Sequence, residues 1–179
     1  MKYSVIILCY KAELEIITEL NKIQNLLDKE NIKYELILVC NYKVDDDDKT
    51  YEIIKKFVKE SSNSNLFIIH EKKRGMYGWD VKLGLEKSNG DYIAFIDGDG
   101  QFDMNDLITV YKECVNNSYD FVKTYRYVRK DGILRFHQSK IYNKIFNIFF
   151  PYYKTKDINS KPKIFTIQTL NKLALKDNG

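Results

Sequence analysis

Residues 91–101 read Asp91-Tyr92-Ile93-Ala94-Phe95-Ile96-Asp97-Gly98-Asp99-Gly100-Gln101. A nearly continuous apolar run breaks into an acidic turn with glycine at every second place. The run has no polar alternation, as expected of a strand covered on both faces in a parallel sheet. The turn is bare and rich in oxygen. Asp97 and Asp99 offer carboxylates, Gly98 and Gly100 let a ligand approach the backbone, and Gln101 adds a carbonyl oxygen. Mg2+ and Mn2+ take oxygen ligands, usually one or two carboxylates plus substrate phosphate. An ordinary surface turn uses the same residue types, so the surroundings must decide. The pattern argues against a calcium loop of the helix-loop-helix kind, because Ile108 rather than Glu stands twelfth from Asp97.

Working outward, strands and helices alternate. Tyr3–Cys9, Tyr34–Cys40, Leu66–His70 and Tyr119–Tyr125 read as further strands, and Lys163–Thr169 as one more near the end. Leu14, Ile17, Leu20, Ile23 and Leu27 recur at helical spacing. Asp45–Asp48 load the start of a helix running to about residue 60, where negative charge favours the dipole. Residues 77–87 read as a helix stopped by Asn89-Gly90, and Met104 to Val115 as another. Strands and helices alternating at this pitch imply β-α-β units and a mostly parallel sheet flanked by helices. Ligands bind such sheets beyond the carboxyl ends of the strands, which is where Asp97 and Asp99 fall.

The 179 residues are 44% hydrophobic and 30% charged, a globular composition that excludes a disordered chain. No apolar stretch reaches 18 residues, which argues against a transmembrane helix in this chain. Tyr3–Tyr10 reads as a strand, not a signal peptide. Three cysteines and two distant histidines lack zinc-ligand spacing and fit a reducing compartment. Charge is divided along the chain. Residues 121–179 carry 13 Lys and Arg against 3 Asp and Glu, and residues 1–120 carry 16 against 22. An acidic front suits cations, and a basic back suits phosphates or anionic lipid heads.

With the stretches Arg74-Gly75-Met76-Tyr77-Gly78 and Leu83-Gly84-Leu85 ahead of residues 89–101, the chain resembles family 2 glycosyltransferases. Within them it is similar to the polyprenyl-phosphate sugar synthases of the dolichyl-phosphate mannose synthase kind. The resemblance covers about residues 3–170. The opening SVIILCYKAE looks like that family's SVVIPTYNE. Arg126, Arg135, Ser139 and Asp157-Ile158-Asn159-Ser160 fall where the family has an Arg, an R-x-x-x-S and a D-x-N-S-like element. The chain departs from the pattern at Lys11-Ala12, where Asn and Glu are usual and Glu13 could serve after a one-residue shift. It departs again at Val39-Cys40-Asn41-Tyr42, which replaces V-D-D-G, while Asp48-Lys49-Thr50 keeps the D-x-T.

The resemblance implies a GT-A (Rossmann-like) fold, one domain over residues 1–179, and a metal-dependent inverting transfer from a nucleotide-diphosphate sugar to a polyprenyl phosphate. It places Tyr10, Glu13, Asn41, Arg74, Asp97 and Asp99 on the donor. It places Mg2+ or Mn2+ on Asp97, Asp99 and Gln101, and the acceptor phosphate on Arg126, Arg135 and Ser139. Asp99, Arg126 and Arg135 carry the catalytic roles. Guanidinium binds phosphate bidentately, and a phosphate monoester, with a second pKa of about 6, arrives as an anion that mainly needs positioning. A hydroxyl acceptor would need a positioned base.

Residues 139–153 (SKIYNKIFNIFFPYY) set Ile141, Ile145, Ile148 and Phe149 on one face, with Lys140, Lys144 and Lys154 alongside. Such a helix fits a membrane interface or packing on the sheet. The expected place is the cytoplasm, peripheral at the inner face of a membrane, with no nucleic-acid partner. No carboxylate pair follows residue 157 to act as a base. That leaves three options: the acceptor is a phosphate, the chain is truncated on the acceptor side, or it acts with a partner. A transferase acting on a sugar hydroxyl and a non-catalytic nucleotide-sugar-binding module are the competing readings.

Overall fold

The computed structural model describes residues 1–44, 46–100, 103–125, 133–151 and 155–172, with backbone alone for 133–136. Its elements in chain order are β1 (Lys2–Leu8), α1 (Glu15–Lys29), β2 (Lys33–Val39), α2 (Thr50–Glu60), β3 (Leu66–Ile69), α3 (Tyr77–Lys87), β4 (Tyr92–Asp97), α4 (Asn105–Asn116), β5 (Phe121–Lys123), α5 (Ile133–Phe149), β6 (Lys163–Thr166) and α6 (Ile167–Lys172). The sheet order is β3-β2-β1-β4-β6-β5. β1 pairs in parallel with β2 and β4, and β2 with β3. β6 alone runs the other way, antiparallel to both β4 and β5.

Period-two alternation explains why β1 is apolar throughout. Tyr3, Val5 and Ile7 join Leu36, Leu38, Ala94 and Ile96 beneath Ile16, Leu20, Ile23 and Leu27 of α1 and Leu107 and Val110 of α4. Ile6 and Leu8 face the other way and join Ile37, Val39, Ile93, Phe165 and Leu85 of α3. The two layers of side chains bury the strands on both faces, as the uninterrupted runs predict. Leu20 and Leu27 have no exposed surface. Truncating either to alanine costs about 2–5 kcal/mol in such a core.

The register positions the site. Leu8 aligns with Val39 on one side and with Asp97 on the other. The chain leaves β1 for β2 on one side, while β4 takes the other side of β1. The carboxyl ends of β1 and β4 therefore flank the topological switch point where open α/β sheets bind ligands.

Three expected boundaries move. The helix expected at Asp45–Asp48 begins at Thr50, because Asp48 turns back to accept from the Thr50 backbone N–H at 3.0 Å. The last strand stops at Thr166 and not at Thr169. The Thr166 hydroxyl accepts from the Thr169 N–H at 3.3 Å and starts α6. The fifth strand shortens to Phe121–Lys123.

Candidate functional site

A cleft of about 310 Å3 opens at the carboxyl ends of β1 and β4. Its floor is Leu8 and the turn Asp97-Gly98-Asp99, its near wall Tyr10 and Lys43, and its far wall Lys73 and the first turn of α3. The turn is built for this place. A Cβ on Gly98 would lie 2.8 Å from Ile16 Cδ1 and 3.1 Å from the Leu8 carbonyl oxygen. A side chain here would have to push the tip of Ile16 aside and crowd the Leu8 carbonyl. Gly100 has φ +67°, a left-handed conformation that strains a side chain.

Asp97 faces a cation already. Its Oδ2 lies 2.5 Å from Lys161 Nζ. The same ammonium sits 4.0 Å from the centre of the Tyr77 ring. Although Tyr77 is 40% exposed, its hydroxyl end is shielded beside the Asp97 carboxylate. Desolvation first and the neighbouring negative charge second push that hydroxyl far above the usual phenol range, so it stays protonated beside Asp97. Asp99 forms the other lip of the turn and lines the same cleft.

Tyr10 stands at the mouth with its hydroxyl donating to Asp46 Oδ2 at 2.5 Å. That hydrogen bond, ahead of the Lys11 ion pair at 3.0 Å, holds the Asp46 carboxyl below the ordinary range. Three ammonium groups surround the Tyr10 ring, Lys73 at 4.5 Å and Lys11 and Lys43 each at 5.5 Å. The acidic run thus holds the β1–α1 loop. Asp48 Oδ2 accepts from the Lys11 N–H at 2.8 Å, and Thr50 Oγ1 accepts from the Glu13 N–H at 2.9 Å. These contacts stabilise the positive φ of Lys11 and Glu13, 56° and 45°.

Behind the far wall, Lys73 is paired with Asp80. Asn41 lies 1% exposed, its amide donating to Asp80 Oδ1 at 2.8 Å and its oxygen accepting from the Glu71 N–H at 2.9 Å. Asn41 therefore supports the wall from inside and presents no edge to the cleft. Arg74 lies over the Trp79 ring at 5.7 Å, and Glu13 is exposed on its loop; neither lines the cleft. Ser139 is half-buried on α5, of which no described residue lines the cleft. Arg126, Gln101 and the side chain of Arg135 lie outside the described residues.

Of the residues singled out from sequence, the structure brings together Tyr10, Asp97 and Asp99. It adds Lys43, Lys73, Tyr77, Asp80 and Lys161. Tyr77 sat inside a quoted motif without a role, and Lys73 stood one place before it. Lys161 is 64 positions from Asp97 with no local signal. A larger, open groove of about 580 Å3 lies between α1 and α2 near the amino ends of β2 and β3. Three of its lining side chains serve each other, Asn63 donating to Gln24 at 2.6 Å and to the Tyr34 hydroxyl at 3.0 Å.

Among the described residues no group of three or more His, Cys, Asp or Glu could cage a metal. The oxygen donors of Asp97 and Asp99 fit Mg2+ or Mn2+ in the sparser way, two carboxylates with the remaining ligands from a bound phosphate. The Lys161 ammonium on Asp97 shows that this position accepts positive charge.

Comparisons with known structures find the same architecture. Glucosyl-3-phosphoglycerate synthase from Mycobacterium tuberculosis, in complex with UDP, superimposes with a TM-score of 0.72 at 16% identity over 96% of this chain and 59% of that one. The mannosyltransferase PcManGT from Pyrobaculum calidifontis, in complex with GDP-Man and Mn2+, gives 0.66 at 16% identity over 96% and 46%. S. aureus TarS 1-349 gives 0.57 at 20% identity over 96% and 49%. The chain thus spans about half the length of these structures, and at such identities they show the fold alone. It is the α/β GT-A fold that the sequence resemblance implied. A search of curated proteins finds no match. The model of the family described as glycosyl transferase family 2 matches residues 4–177, almost the whole chain, and the chain belongs to that family.

Proposed function

We propose that the chain transfers a sugar from a nucleotide-diphosphate donor to a polyprenyl phosphate, with inversion and with the help of Mg2+ or Mn2+. The observation that supports this most is the Asp97-Gly98-Asp99 turn at the switch point of the sheet. UDP and GDP-mannose with Mn2+ in structures of the same fold agree with the donor class and with the ion.

In this reading Asp97 and Asp99 hold the donor's diphosphate through the ion, with Gln101 beside them. When bound, the divalent ion supplies a Lewis acid for the charge that grows on the leaving diphosphate. Tyr10 offers its ring to the nucleobase, with Glu13 and Arg74 at the outer donor side and Asn41 steadying the wall through Asp80. Tyr77 keeps its proton and orients Asp97. Lys73 and Lys43 lend positive potential to the cleft mouth. Arg126, Arg135 and Ser139 receive the acceptor phosphate. The acceptor oxygen attacks the anomeric carbon as the bond to the diphosphate breaks, so one displacement inverts the centre.

Two observations favour an ionised lipid phosphate over a hydroxyl. Asp157 is 3% exposed and accepts from the Asn159 N–H at 3.2 Å, so it is not placed as a base. On α5, Ile141, Ile145, Ile148 and Phe149 are 61%, 47%, 66% and 74% exposed, so this stripe does not pack on the sheet. Among the described residues no helix is long and apolar enough to cross a membrane, and the exposed stripe of α5 suits contact in the plane of the interface. The deciding experiment offers radiolabelled UDP- and GDP-sugars with MnCl2 to the protein on vesicles carrying a polyprenyl phosphate. Label should enter the lipid only with metal present. Label on a soluble glycan with none on the lipid would replace the acceptor assignment, and donor binding without turnover would leave a binding module.

A further inference from the structure

Lys161 is the side chain most closely set on Asp97, and the reading above gives it no task. Its backbone is anchored. The Thr124 hydroxyl donates to the Lys161 carbonyl at 2.7 Å, the Thr124 N–H donates to Pro162 O at 3.2 Å, and neighbouring Ser160 is fully buried. From that fixed base a flexible four-carbon stem carries the ammonium to Asp97 and Tyr77 at the edge of the cleft, where the side chain is 16% exposed. Two groups meet it there, the Asp97 carboxylate at 2.5 Å and the face of Tyr77 at 4.0 Å. A carboxylate beside a ring face attracts any cation, by charge and by the ring quadrupole. The chain fills with its own side chain a position where a soluble cation would also be attracted.

We propose that Lys161 is the resident counter-ion of Asp97, which gives way when a divalent cation binds with the donor, its ammonium then passing to the donor's diphosphate. The inference rests on the donor-and-metal reading given above and adds an order to it. A metal ion alone must compete with a tethered ammonium for Asp97, so it binds weakly. A nucleotide diphosphate changes the balance twice, by bringing phosphate oxygens to the metal and by offering Lys161 a new anion. Metal and diphosphate therefore favour each other's binding, and by linkage the coupling is the same from either side. The cation at Asp97 is never absent, so the carboxylate is not left uncompensated in a half-closed cleft.

The test is calorimetric titration of MnCl2 into the wild-type chain, K161M and K161R, each alone and with UDP or GDP. K161M should bind MnCl2 alone about fivefold tighter or more, and the gain in affinity on adding the nucleotide should shrink by about the same factor. K161R, which keeps the charge, should follow the wild type. Equal MnCl2 affinity in wild type and K161M, with the wild type still taking up metal and nucleotide together, overturns the inference and leaves the donor reading standing. No metal uptake by any variant with either nucleotide overturns both. A second measurement needs no variant. Saturating MnCl2 should speed modification of the Lys161 amine by an acylating reagent, read by mass spectrometry, and adding UDP or GDP should slow it again. An unchanged rate also overturns the inference.

Discussion

The two ends of the sheet each hold a carboxylate beside a lysine, and they do opposite things with it. At the amino end, Glu35 has a side chain 1% exposed and is surrounded by donors: Lys2, the Ser4 hydroxyl at 2.6 Å and the Asn89 N–H at 2.7 Å. Ser4 in turn accepts from the Gly90 N–H at 2.8 Å, closing the network. At the carboxyl end, Asp97 has a side chain 30% exposed above an open cleft, and the lysine it meets arrives from a distant loop. A buried carboxylate that accepts from three donors outside its own strand ties strands together. A partly exposed one balanced by a lysine from a distant loop leaves its charge within reach of a ligand.

If that contrast is right, damage at the carboxyl end should remove function and spare stability. Asp99→Ala should lower metal-dependent donor turnover by about 100-fold or more while the melting temperature stays near wild type, since charge stabilisation at a leaving group carries effects of that size. Turnover within a few-fold of wild type would break the comparison at its functional side.

Damage at the amino end should do the reverse. Glu35→Ala leaves Ser4 and the Asn89 N–H short of an acceptor and should cost about 2–4 kcal/mol in urea denaturation, with donor affinity unchanged. Burial alone would raise the Glu35 carboxyl, but Lys2, Ser4 and the Asn89 N–H outweigh it and hold it below its ordinary 4.5. A depressed carboxyl contributes stability that is fully present above its unfolded value and lost as pH falls through its folded one. Stability measured downward from pH 6 should therefore fall more steeply in wild type than in Glu35→Gln. Parallel acid limbs would remove Glu35 from the account.

Gly98→Ala tests the junction of fold and site. The new methyl meets Ile16 and the Leu8 carbonyl, so stability should drop by about 1–3 kcal/mol and donor affinity should fall with it. The smallest stability effect belongs to α5. Ile145→Glu should change stability by about 0.5 kcal/mol or less, because the side chain is 47% exposed, yet reduce sedimentation with anionic vesicles at low salt. Unaltered sedimentation would detach the lipid reading from this helix.

The parts of this molecule written in local pattern were legible before any coordinates. The parallel strands announce themselves as uninterrupted apolar runs, and the acidic turn after β4 can be picked out because two carboxylates alternate with glycines directly behind one of those runs. The interior role of Asn41 was hidden, since an amide after a strand reads alike whether it faces a base or a buried Asp80. The acidic run 45–48 looked like a dipole-loaded helix start, because sequence does not show that Tyr10 and Lys11 lie opposite Asp46. The direction of β6 and the arrival of Lys161 at Asp97 are long-range facts of topology, and neither leaves a trace in spacing.

The place of β6 sets a timetable for synthesis. Among the described strands β5 pairs only with β6, which inserts between it and β4. A nascent chain that has reached residue 125 can assemble the first four strands, but the rim of β4 stays open until residues 163–166 leave the ribosome. Docking of β6 then closes that rim and carries the adjoining Lys161 toward Asp97, so the charge on Asp97 is balanced only once that strand is in place.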